Sequence, residues 1–264
     1  GGTTSYPAYV NEGTAQPKFD ARVDYDFNDG LGKLEMSGVY GGTDGMMHTG
    51  IGPCNIKQGA AMSYWKATYT RKAFRLQSFM NILDGEATNV VAVQPDGTPL
   101  GLTFAPKTFD VEVGDTRLLW QRHALTYGGN IRENRFNLSI APGETARTEG
   151  GAYVQDEFMI TRYFRVAAGV RVDKFTSIDH AVASPRVAVV IKPTDDQSIR
   201  VSYNRAFRSP SMVNNHLDTT IATPIPLSQI NPGYGNQIYL LPTDAVGNPD
   251  LTEESNDAYE VAYT

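Results

Sequence analysis

From Phe19 to Phe27 the chain sets Phe19, Ala21, Val23, Tyr25 and Phe27 on one parity and Asp20, Arg22, Asp24 and Asp26 on the other. Successive side chains of a strand point to opposite faces, so this segment has an oily face and a charged face. The split recurs along the chain. Phe74, Leu76, Met80 and Ile82 oppose Arg75, Gln77 and Asn81, while Phe164, Val166, Ala168, Val170 and Val172 oppose Arg165, Arg171 and Asp173. With no helical periodicity of useful length, the chain reads as all-β.

Alternation places about eleven strands, near 18–27, 32–43, 61–71, 74–83, 107–113, 122–132, 150–160, 163–173, 183–192, 197–207 and 257–264. Their connections fall into two classes. Asn28-Asp29-Gly30-Leu31, Arg71-Lys72-Ala73, Thr161-Arg162 and Pro193-Thr194-Asp195-Asp196 are short and rich in turn formers. Between them lie 44–60, 84–106, 133–149, 174–182 and 208–256, which read as long loops, and 114–121 is intermediate. Every second connection of an up-and-down barrel emerges on the same side, so the long ones share one rim. That rhythm fits a transmembrane β-barrel better than a sandwich. Loops this long, gathered on one rim, point to a binding surface.

Composition removes several function classes. A net charge of −6 with no basic stripe argues against a nucleic-acid partner. The longest apolar run, Val187 to Ile191, is far shorter than a transmembrane helix, but a barrel strand shows lipid only every second residue. Cys54, the lone cysteine, has no disulfide partner and reads as a small residue in a Gly-Pro-Cys-Asn turn. There is no nucleophile elbow, His-Glu-x-x-His or phosphate-binding glycine loop, so no enzyme is expected, and no cofactor. The chain lacks an initiator Met and stops at Thr264 in strand pattern, which reads as a piece of something longer.

The stretches from residue 150 onward carry a resemblance. They are Gly151-Ala152-Tyr153-Val154-Gln155-Asp156-Glu157, Ala168-Gly169-Val170-Arg171-Val172-Asp173, Ser184-Pro185-Arg186-Val187-Ala188, and Val201-Ser202-Tyr203-Asn204-Arg205-Ala206-Phe207-Arg208-Ser209-Pro210-Ser211. Last comes Asn248-Pro249-Asp250-Leu251-Thr252-Glu253-Glu254-Ser255, leading into Tyr259-Glu260. In order and spacing they resemble the barrel of TonB-dependent outer-membrane receptors, whereas 1–149 match only in strand rhythm. The resemblance implies a segment of a 22-stranded barrel in the outer membrane of a Gram-negative-type cell, with a plug domain inside it. It implies outer-membrane lipid as surroundings, TonB as partner through the plug, and a scarce small-molecule ligand such as a ferric siderophore, cobalamin or glycan. Residues 1–264 would then be a partial barrel domain without plug or C-terminal strands, and its closure alone is not expected. A passive porin or adhesin-like barrel is the alternative, and a soluble lectin-like β-protein a third reading.

Within that frame Tyr203 and Phe207 are expected to bracket Arg205 at the membrane interface, where the guanidinium reaches headgroups. Pro210 ends strand pairing, and Pro185 sits near a strand start where a missing amide is tolerable. Arg171, Arg186, Arg208, Asn248, Pro249, Leu251 and Glu260 complete the structural motif positions. Asp156 shares the parity of Val154 and Phe158, so it belongs at headgroup level or beside a bulge. Phe79 and Met159 fall on polar parities, which a wide protein-filled lumen tolerates. Asp24, Asp26, Lys66, Arg75, Arg165 and Arg171 would face the plug.

Candidate ligand contacts lie in the long segments: His48, His180 and His216, then Tyr234, Gln237 and Tyr239, which suit stacking and hydrogen bonding. Met46, Met47, His48 and Cys54 are soft donors on one glycine-rich segment, without a recognised metal spacing.

Overall fold

The computed structural model describes residues 15–50, 52–143 and 146–264. The strands are β1 (Lys18–Asp26), β2 (Gly32–Thr49), β3 (Gly52–Arg71), β4 (Phe74–Val93), β5 (Pro99–Phe104), β6 (Lys107–Leu119) and β7 (His123–Arg135). After them come β8 (Ala146–Thr161), β9 (Phe164–Phe175), β10 (Ala181–Thr194), β11 (Gln197–Arg208), β12 (Asp218–Pro226), β13 (Ile238–Val246) and β14 (Glu254–Tyr263). A one-turn helix, α1 (Met212–His216), precedes β12.

Eleven strands form the wall, antiparallel in the order β1-β2-β3-β4-β6-β7-β8-β9-β10-β11-β14. Those are the eleven expected from alternation. The sheet is open, with β1 and β14 at its edges. The other three, β5, β12 and β13, arise inside segments 84–106 and 208–256 that the sequence presents as loops.

Antiparallel register carries parity from strand to strand, so each face keeps one character across the wall. One row reads Val23, Met36, Ala67, Ser78 and Val111, and another Ile199 to Tyr263 through Val201–Val261 and Tyr203–Tyr259. The opposite face holds Asp24, Glu35, Asp110, Arg132, Arg171 and their neighbours.

The connections do segregate. Residues 27–31, 72–73, 120–122, 162–163 and 195–196 make one rim of short turns. The 114–121 link is a tight turn, because β6 runs on to Leu119, with Trp120 and Gln121 at positive φ (48° and 59°) closing it. On the other rim the expected loop 44–60 is a strand hairpin: β2 and β3 reach each other at Thr49 and Gly52. Its glycines serve bulges. Register slips between Thr43 and Gly45 and between Ile56 and Ala61, where Gly45 and Gly59 have φ of 96° and 99°.

β3 and β4 are 20 residues each, twice the ~9–11 that cross a bilayer. Their far halves therefore stand clear of the wall and need a core of their own. Cys54, Ile56, Ala60 and Ala87 supply it, packed against Leu102 and Phe104 of β5. Gly85 lets the Phe104 ring lie on the backbone there, since a Cβ would sit 2.6 Å from it.

Pro185 departs from expectation: it lies inside β10, opposite Val170 of β9. The β10–β11 ladder begins only at Arg186, so this part of β10 faces no β11 partner to which an amide could donate.

Candidate functional site

The polar face of β6–β9 is a connected network. Asp110, whose side chain is only 3% exposed, accepts from Arg132 Nε at 3.0 Å and from Asn130 Nδ2 at 3.1 Å. Asn130 Oδ1 in turn accepts from Arg171 Nη2 at 2.6 Å, and the same guanidinium grips Asp173 through Nε and Nη2 at 2.6–2.9 Å. A charge held this far from water is stable only when paired and hydrogen-bonded, which Arg132 and Asn130 achieve for Asp110.

Glycines make the network possible. Arg171 lies flat over Gly151, where a Cβ would collide with the guanidinium and with Asp173 Oδ1. Tyr153 lies across Gly128 and Gly114, its hydroxyl 2.6 and 2.7 Å from where their Cβ atoms would be. Both long side chains are thus laid along the wall instead of projecting from it. Phe79, on the polar parity, is capped by Arg132 with the guanidinium carbon 5.6 Å from the ring centroid.

The long-connection rim carries a second assembly. From β11 the chain turns at Pro210, whose carbonyl accepts from Arg147 Nη1 at 2.7 Å. Ser211 caps α1, its hydroxyl accepting from Asn214 N at 3.1 Å. Asp218 N then donates to Ile140 O at 2.9 Å, and the β12–β13 hairpin meets β4 where Ala222 pairs with Val93. The hairpin therefore crosses the rim from β11 to β4. It presents Tyr234, Gln237 and Tyr239 to solvent.

The histidines take three separate places on this rim. His48 is exposed near the β2–β3 tip, His180 Nε2 pairs with Glu253 Oε1 at 3.0 Å, and His216 ends α1 against Gly143. The Glu253 backbone N–H, then His180, hold the Glu253 carboxyl below the usual carboxylate range. The soft donors are split as well. Met47 faces Cys54 across the hairpin, while Met46 and His48 take the other parity. Cys54 is fully buried, its Sγ 3.7 Å from both Gly52 O and Asn89 Nδ2. Among the described residues no group of His, Cys, Asp and Glu is placed to hold a metal ion.

On the apolar face, Tyr203 donates to Asp257 Oδ1 at 2.7 Å and Arg205 stands 5.1 Å over the Phe207 ring. At the short-turn rim Asp156 Oδ2 accepts from His123 Nδ1 at 2.6 Å, and the imidazole stacks on Phe158 at 4.2 Å. Trp120, at the turn, meets His123 edge-on. The acid on the oily parity is thus held by an imidazole set between the Trp120 and Phe158 rings. Among the motif positions, Arg200 and Ser202 both reach Glu260, Arg208 stands 3.8 Å from Glu254, and Pro249 O accepts from Asn215 Nδ2 at 3.4 Å. Asn248 Oδ1 accepts from Asp250 N at 3.0 Å, and Leu251 N donates to Asn248 O at 3.4 Å, a tight turn into β14.

Sequence reasoning did not find Asp110, Arg132 and Asn130, nor the buried Asn89. The first three were visible only as lumen-parity polar residues; their convergence depends on register. Asn89 Oδ1 accepts from Val91 N and Ala92 N at 2.9 and 2.7 Å, a structural role inside what read as a loop.

A family model described as TonB dependent receptor-like, β-barrel, matches residues 1–264. No curated protein matches the chain. Solved structures share the fold at low identity. The siderophore receptor PirA from Acinetobacter baumannii is 15% identical over 95% of this chain and 40% of its own, with a TM-score of 0.62. A variant of the ferric enterobactin receptor PfeA from Pseudomonas aeruginosa, in complex with enterobactin, is 12% identical over 95% and 40%, at 0.64. The FrpB iron transporter from Neisseria meningitidis is 15% identical over 79% and 42%, at 0.57. The chain thus spans about two-fifths of the length of these proteins.

Proposed function

This chain belongs to the TonB-dependent receptor-like β-barrel family, and from that membership we propose that it is part of the wall of an outer-membrane receptor for a small metal chelate. Barrels of this family are outer-membrane proteins of Gram-negative bacteria. The observation that carries the reading is the sorting of the wall: short turns on one rim, a folded hairpin assembly on the other, and opposite characters on the two faces. The apolar face meets lipid. The polar face, with its flattened Arg171 and Tyr153, lines a lumen occupied by a plug.

A ferric siderophore is the proposed ligand class, in keeping with the siderophore and iron receptors that share the fold. Tyr234, Gln237 and Tyr239 on the crossing hairpin, with His48, His180 and His216 around the same rim, would receive it by stacking and hydrogen bonding. Binding shifts the plug only to the extent that the ligand prefers one of its two states, and TonB supplies the remaining work. No covalent step is part of the proposal.

The test is accumulation of labelled ferric siderophores by cells expressing the full-length gene, with and without TonB. Uptake that stops when TonB is deleted supports the reading. Uptake indifferent to TonB makes the barrel a passive pore and ends it.

A further inference from the structure

Among the described residues three that are not glycine take a positive φ, and all three lie on the short-turn rim: Lys72 at 53°, Trp120 at 48° and Gln121 at 59°. In that region a Cβ crowds the following carbonyl oxygen, so glycine or asparagine is the usual occupant of such a turn. Here the positions go to a cation, an indole and an amide. Strain of this kind gathers where the position serves its side chain more than its turn. The Lys72 N–H donates to Leu31 O at 3.0 Å, which ties its turn to the neighbouring one, while its ammonium has no ion pair or hydrogen bond among the described residues.

Lys72 stands at a notch. β4 begins at Phe74 and its Arg75 pairs with Gly114, so the end of β6, from Asp115 to Leu119, runs past the β3–β4 turn. The step between them holds a cavity of about 590 Å³ whose walls include Leu31, Arg71, Lys72, Phe74, Arg117 and Leu118. Arg71, Phe74 and Arg117 share the oily parity of Ala67, Ser78 and Val111, so the notch opens on the apolar face at its short-turn edge. Two carboxylates meet these cations: Arg71 Nη2 is 2.8 Å from Asp29 Oδ2, and Arg117 Nη2 is 2.5 Å from Asp115 Oδ2. Three cations against two carboxylates leave one positive charge, and Lys72 carries it. Beside the notch the apolar face is a run of rings, Tyr25, Phe27, Tyr69 and Phe74, with successive centroids 5.1, 5.9 and 6.3 Å apart. One surplus cation at the end of a wall of rings matches an amphiphile with a single anionic head and a hydrocarbon tail.

We propose that the Lys72 notch binds one anionic phospholipid, its phosphodiester held by Lys72 with Arg71 and Arg117, and its acyl chains laid against the Phe74, Tyr69 and Phe27 rings. The proposal rests on the reading above in one respect, that the apolar face meets lipid. A free phosphate would engage the cations and leave the rings without a role. A zwitterionic lipid would bring a second cation to a site that already holds a surplus one.

The experiment uses the full-length receptor, purified in detergent with equal amounts of phosphatidylglycerol and phosphatidylethanolamine and measured by native mass spectrometry. The unaltered protein should keep one phosphatidylglycerol. K72Q should weaken that retention on the order of fivefold, as expected for one basic residue against an anionic head, and K72R should preserve it. K192Q removes a lysine near the same rim but outside the notch, and should leave retention unchanged. Heat-modifiable migration in gels shows that each variant is folded before it is compared. Equal retention of the two lipids, equal losses in K72Q and K192Q, or displacement of the lipid by inorganic phosphate overturns the proposal. A protein that keeps phosphatidylglycerol but takes up no siderophore ends the receptor reading alone. One whose uptake depends on TonB but which holds no lipid ends this proposal alone.

Discussion

Gly150 and Gly151 are adjacent, yet Gly151→Ala and Gly150→Ala are expected to have different consequences. Gly151 is on the polar face, opposite Asn130 and Asp173 in the ladders. Its missing Cβ is the space through which Arg171 reaches Asn130, and an alanine methyl would meet the guanidinium and Asp173 Oδ1 together. Gly150 is on the apolar face, where a new Cβ would find Asn130 O at 3.7 Å and Ile131 Cγ1 at 4.0 Å, ordinary contact distances. Pushing Arg171 off the wall breaks its 2.6 Å bond to Asn130 while leaving Asp173 able to follow it into water. A hydrogen bond to a charged group is worth about 1.5–3 kcal/mol, and with Arg171 partly solvated the cost of G151A falls to about 1–2 kcal/mol. G150A instead gains from restricting the unfolded chain and should be neutral or stabilising by up to about 1 kcal/mol. The assay is urea-driven unfolding of the full-length receptor in lipid vesicles, for both variants, R171A and G151A/R171A. The cost of G151A should largely vanish in the R171A background, since the group it displaces is gone. Equal shifts for the two glycines, or simple additivity with R171A, would refute the reasoning.

Removing the Asp156 partner with His123→Ala should cost about 1 kcal/mol, since it strands a part-exposed carboxylate on the apolar face, and H123A/D156N should recover much of it in the same unfolding assay. Asn89→Ala deprives two backbone amides of a buried acceptor, a local loss of about 2–3 kcal/mol. Hydrogen exchange should accelerate in peptides covering 52–60 and 86–93, with the wall strands β8–β11 unchanged. Glu253 has a depressed carboxyl, so its contact with His180 is fully present above the ordinary carboxylate value of ~4 and is lost as pH falls through the lower folded value. Exchange in 176–182 and 248–256 should therefore rise only below that range, and in E253Q it should be already raised at neutral pH.

What the sequence discloses follows from how far each feature depends on neighbours. The wall strands are legible because alternation is a local property. An apolar surface on one side and a polar one on the other impose it residue by residue, and the eleven strands of the wall follow. The projecting strands are hidden because glycine there has two physical meanings. At Gly45 and Gly59 it supplies the positive φ of a bulge within a continuing hairpin, which in sequence is indistinguishable from a flexible loop. The crossing hairpin is hidden for a related reason. Pro224 and Pro226 in β12 and Pro242 in β13 argue against central strands, yet a two-stranded hairpin has free edges on which a missing amide costs nothing. The candidate site is least legible because it depends on register. Asp110 and Asn130, Gly151 and Arg171, Arg186 and Asn204 come from different strands, and a slip of one residue would carry half of each set to the apolar face. The opposite characters of the two faces are what forbid that slip. The oily parity that reveals the strands is therefore also the force that fixes the polar network on the other side.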